Sequence, residues 1–109
     1  MKNLIRATED EILKAGGIEP AAVISRSIQQ FEADGIVFDT GCDDFDFWHN
    51  ASYFINGTPF ALHHYDRSPS ENTTDIHLPF SYTLQQVSDI LDVILPEFRL
   101  TINDVNWRR

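Results

Sequence analysis

The dipeptide Asn56-Gly57 constrains this chain more than any other feature. Two β-rich runs flank it, Ser52-Tyr53-Phe54-Ile55 and Phe60-Ala61-Leu62-His63-His64-Tyr65. A two-residue type I′ turn needs positive φ at both central positions, which Asn and Gly tolerate, so the pattern predicts a tight antiparallel hairpin. Pro59 cannot donate to a ladder, so its missing N–H must face away from the partner strand. The chain therefore builds around antiparallel sheet.

Helix signals lie on both sides of this centre. Thr8-Glu9-Asp10-Glu11 reads as a capping box, with three carboxylates at the positive end of a short N-terminal helix that Gly16-Gly17 stops. Pro20 suits a first helical turn, and Val23, Ile24, Ile28 and Phe31 recur at helical spacing up to Asp34-Gly35, which predicts a helix over Pro20–Ala33. Thr83-Leu84-Gln85-Gln86 is a second capping box. Leu84, Val87, Ile90, Leu91, Ile94 and Leu95 form one apolar stripe behind it, predicting a helix over Leu84–Leu95 that Pro96 ends.

Further strand signals are Ile36-Val37-Phe38, Phe45-Asp46-Phe47, Ile76-His77-Leu78 and Phe98–Ile102, with Asp66–Asp75 as a polar loop. In Phe45-Asp46-Phe47 the alternation predicts both Phe side chains inward and the acids outward. Strands clustered in the middle with helices around them predict an α+β fold, a mostly antiparallel sheet of four to five strands with helices 20–33 and 84–95 packed on one face. The 109 residues suit one domain, 1–109, without repeat or linker.

Charge narrows the partners. The net charge is −9, and Arg67 is the only basic residue between Arg26 and Arg99, against twelve acids from Glu32 to Glu97. Such a surface repels phosphates, which argues against nucleic acid and against anionic membranes. A single Cys, Cys42, points to a reducing, cytoplasmic setting, and no run approaches a membrane span.

Catalytic signatures are missing: there is no phosphate loop, nucleophile elbow or paired-Cys motif, and no cofactor is implied. Cys42 sits beside Asp43 and Asp44, where negative potential suppresses a reactive thiolate. His49, His63, His64 and His77 show none of the recurring metal spacings. His63 and His64 are adjacent in a strand and point to opposite faces, so no metal site is expected.

The densest chemistry is the acidic-aromatic stretch. Asp39, Asp43, Asp44 and Asp46 lie among Phe45, Phe47 and Trp48, a composition suited to an interface that receives Arg and Lys. Trp48 breaks the alternation and is the expected anchor. The expectation is a non-enzymatic binding protein that occludes the active site of a basic partner, as immunity proteins do to nuclease toxins. That analogy is one of size and charge. The alternative is a small enzyme or ligand-binding domain using His63, His64 or His77 with an aspartate.

Overall fold

The computed structural model describes residues 3–44, 46–65 and 72–107. Its elements run β1 (Leu4–Arg6), α1 (Glu9–Lys14), β2 (Ile18–Ile24), α2 (Ile28–Ala33), β3 (Asp39–Cys42), β4 (Phe47–Ile55), β5 (Thr58–Tyr65), β6 (Thr74–Pro79), α3 (Leu84–Glu97) and β7 (Val105–Trp107). The hairpin forms as its turn chemistry requires. Asn56 and Gly57 adopt φ of 49° and 83°, and β4 pairs with β5 from Ile55↔Thr58 to Trp48↔Tyr65. The neighbouring pair is Phe54↔Pro59, and β6 pairs with β5 from Ala61 to His63 among the described residues, so the ring of Pro59 interrupts no ladder position on that side.

The fold is α+β, and its sheet holds seven strands among the described residues, more than the four to five expected. Their order is β1-β4-β5-β6-β2-β7, with β3 also on β4, and every pairing is antiparallel. The extra strands are short. β1 pairs with Tyr53–Ile55 and β3 with Phe47–Asn50, so the two share one edge of the long β4.

The helix expected over Pro20–Ala33 is corrected. Its first part is strand β2, and helix begins only at Ile28, capped by Ser27, whose Oγ accepts from the Gln30 backbone N–H at 3.1 Å. Pro20 sits where the β2–β6 register shifts before Ala22, a bulge position that tolerates the missing donor. α1 and α3 start at Thr8 and Thr83 with both arms of each capping box in place. The Thr8 backbone N–H, donated to Glu11 at 2.9 Å, holds that carboxyl below its ordinary range.

Two further strand expectations are corrected. Ile36 and Phe38 are buried and Val37 is exposed, but among the described residues this segment has no ladder partner: its alternation records burial alone. Pro96, expected to end α3, instead lies within its last turn: the helix runs to Glu97. Phe98–Leu100 end it in a Schellman-type closure, with Arg99 N–H to Pro96 O, Leu100 N–H to Leu95 O and Arg99 at φ 58°. A 3₁₀ turn at Ile102–Asp104 then leads into β7. In the segment expected to be loop, Thr74 and Asp75 belong to β6 and are buried, while 66–71 lie outside the described residues.

One core joins the helices to one face of the sheet. Ile28 and Phe31 of α2 and Val87, Leu91, Ile94 and Leu95 of α3 share a buried cluster with alternate residues of β4, β5 and β6. Phe98 closes it against Phe31 and Phe60, edge-to-face at 5.6 and 6.3 Å. Each fully buried Leu or Phe contributes about 1.5–3 kcal/mol relative to exposure. Phe47, expected inward, is corrected: at the end of β4 and outside the buried cluster, it is 39% exposed. Phe45 lies outside the described residues.

Candidate functional site

The opposite face of the sheet is polar where the core face is apolar. Because β4 buries Ala51, Tyr53 and Ile55 toward the helices, Trp48, Asn50 and Ser52 must point the other way. Cross-strand register extends this into rows: Trp48 faces Tyr65, and Asn50, His63 and Asp75 lie abreast across β4, β5 and β6. α1 closes one side with Ile12 and Leu13, leaving a groove of about 1150 Å³.

Among the described residues, five carboxylates line that groove: Glu9, Asp39, Asp43, Asp46 and Asp75. Among the described residues, no Lys or Arg lines it. Arg6 reaches Asp39 at 3.3 Å, an exposed pair that contributes little to stability. Asp43 also shapes the loop between β3 and β4: its Oδ1 accepts from the Asp46 N–H at 2.7 Å, and its own N–H donates to Asp46 O at 2.9 Å. That turn sets Asp43 and Asp46 on the groove side. Asp44 is exposed and is not part of the lining.

Trp48 is held in the groove wall by the absence of a side chain opposite it. A Cβ on Gly41, its cross-strand partner, would stand 2.5 Å from the indole Cζ2. The half-buried ring therefore lies directly on the Gly41 backbone. Leu13 and Phe80 form exposed apolar parts of the rim.

His63 lies at the floor, 8% exposed. The Asn50 amide donates to Ser52 Oγ at 2.8 Å, which turns the Asn50 carbonyl oxygen toward His63 Nδ1, 2.9 Å away. In neutral His63 the proton then sits on Nδ1 and the lone pair on Nε2. Nε2 is buried and, among the described residues, has no hydrogen-bond partner. Burial pushes the His63 pKa below its ordinary 6.5, as do His64 and His49, while Asp75 acts in the opposite direction. His77 and Tyr65 flank the ring at 4.8 and 4.4 Å between centroids.

The structure thus brings Asp39, Asp43, Asp46 and Trp48 together on one groove. It divides the histidines: His63 and His77 share the groove face with Asp75, whereas His64 lies opposite His49 in the ladder with its side chain on the other face. Asn50, Ser52, Tyr65 and Asp75 were absent from the sequence-based site. The alternation of β4, read over its full length, carries the signal for Asn50 and Ser52. Asp75 was hidden by its polar neighbours.

The site offers negative charge, buried acceptors and aromatic surface, which suits a cationic ligand. Among the described residues no group of three or more His, Cys, Asp or Glu could hold a metal ion. No described helix is long and apolar enough to cross a membrane. A scan against protein-family models finds no match, and searches of curated proteins and of solved structures find none either.

Proposed function

We propose that this protein binds a basic protein partner through the acidic groove and inhibits it by covering its active site, in the manner of an immunity protein facing a nuclease toxin. The observation that carries the reading is the lining: five carboxylates, no described Lys or Arg, and the indole of Trp48 in the wall. Enzymes that act on nucleic acid present basic sites, so an acidic concave surface is steered to them and competes with phosphate. The same reading keeps the protein in the cytoplasm, where the exposed Cys42 stays reduced.

The test is capture of the partner from the native host, followed by binding kinetics. A single stoichiometric partner of high pI is expected. Its association should slow at high salt and in the Asp39→Asn/Asp43→Asn/Asp46→Asn variant, while Trp48→Ala should mainly speed dissociation. Asn at position 43 keeps an acceptor for the Asp46 N–H, so the variant removes charge and not the turn. A partner that binds wild type and the triple variant alike, at both salts, overturns the reading.

A second reading, a ligand-binding domain or small enzyme, is favoured by one observation: the unpartnered Nε2 of His63 at the groove floor. Recovery of a small molecule from the purified protein, lost in His63→Gln, would support it over inhibition.

A further inference from the structure

The groove reading leaves open what chemistry its floor recognises, and the following inference rests on that reading. We infer that the floor is a receptor for one guanidinium group, so that the partner inserts an arginine beside Trp48 and Tyr65, donating to the Asp75 carboxylate and to His63 Nε2.

Three independent features converge on a planar cation. The first is His63, more than nine-tenths buried, whose Nδ1 is committed to Asn50 and whose Nε2 has no donor among the described residues. A buried acceptor without a donor is costly, and a ligand N–H would relieve that cost. The second is charge: Asp75, 7% exposed, stands next to His63 in the ladder on the same face. A cation near it gains more than it would in open solvent, because the local dielectric is low. The third is the aromatic row. Trp48 and Tyr65 are cross-strand partners on this face, and Tyr65 meets the His63 ring edge-to-face.

These features select arginine over lysine. A guanidinium is weakly hydrated, stacks on aromatic rings and spreads five donors in one plane, so it can serve a carboxylate and an imidazole nitrogen together. An ammonium is compact and strongly hydrated, and it forfeits much of its hydration on entering such a floor. Citrulline has nearly the shape of arginine but no charge.

The experiment titrates the intact protein with N-acetyl-arginine amide, N-acetyl-lysine amide and N-acetyl-citrulline amide, and in parallel with deca-arginine and deca-lysine peptides. Imidazole 15N spectra report His63 Nε2 directly, so the wild type alone can give the answer if a floor variant folds poorly. The expected result is a roughly tenfold preference for the arginine amide over the lysine amide. The Nε2 resonance should move toward that of a hydrogen-bonded acceptor, citrulline should bind weakly, and His63→Gln or Asp75→Asn should erase the preference. If both decapeptides bind equally, lose affinity in the Asp39→Asn/Asp43→Asn/Asp46→Asn variant and leave Nε2 unmoved, the guanidinium site is wrong while the acidic groove stands. If neither decapeptide binds, the groove reading falls and the guanidinium site falls with it.

Discussion

Gly41→Ala tests the seat of Trp48 directly. A Cβ at position 41 would lie 2.5 Å from Cζ2, 2.6 Å from Cε2 and 2.8 Å from Nε1 of the indole. Carbon contacts settle at about 3.5–4.0 Å, so the ring must retreat by about 1 Å. Overpacking of this kind costs about 1–3 kcal/mol. Gly41 is not among the residues with positive φ, so Ala strains no backbone there. Its lower chain entropy instead returns about 0.5–1 kcal/mol. Since the indole borders an open groove and can rotate into it, a net loss of about 1 kcal/mol is expected. The sharper expectation is a reversal of sign. In a Trp48→Ala background the clash is gone, and Gly41→Ala should be neutral or stabilising by about 0.5–1 kcal/mol. Urea denaturation followed by circular dichroism across the four-member cycle measures both values. A coupling of about 1.5–2 kcal/mol is expected, within the usual range for residues in contact. Equal destabilisation in both backgrounds would refute the seating of Trp48 on Gly41.

Three other outcomes follow from the same structure. Leu91 is fully buried, so Leu91→Ala should cost about 2–5 kcal/mol, and an unchanged denaturation midpoint would place the α3 stripe outside the core. Ser27→Ala removes the cap of α2 and should cost about 0.5–2 kcal/mol, whereas a neutral result in thermal melts would contradict the Ser27–Gln30 box. Because the folded His63 pKa lies below the ordinary 6.5, the unfolded chain binds the proton first as pH falls. Stability linked to His63 is therefore complete above 6.5 and erodes as pH drops from there toward the lowered folded value. His63→Gln should flatten that part of the profile relative to wild type, and parallel profiles from pH 7.5 down to 5 would rule the linkage out.

Local chemistry decided by adjacent residues was readable in the sequence. Asn56-Gly57 specifies its turn through φ alone, the Thr8 and Thr83 boxes close over three residues, and the Leu84–Leu95 stripe needs only the 3.6-residue period. Buried Ile28, Phe31, Leu91 and Ile94 follow from the same periodicity. The errors share a different origin. Ala21-Ala22-Val23-Ile24 fits helix or strand by pattern, and only pairing with β6 and β7 made it strand. The Ser27-Ile28-Gln29-Gln30 box was a local clue to where helix really begins. The stop after α3 carries Arg99 at the position where α1 and α2 use Gly, and the sequence signal that was read, Pro96, lies inside the helix.

The site divides along the same line. Charge density and aromatic content singled out Asp39, Asp43, Asp44, Asp46 and Trp48, because those properties belong to the stretch itself, and only the fold turned Asp44 away from the groove. Asn50, His63 and Asp75 come from three strands and meet only through register. A one-residue slip would turn each of these rows to the opposite face. Sequence by itself therefore determined the turn, the helix caps and the acidic character of one segment. Tertiary structure alone decided that the acids form the wall of a groove, with a buried imidazole at its floor, since a cross-strand row is defined by long-range pairing and not by neighbours in the chain.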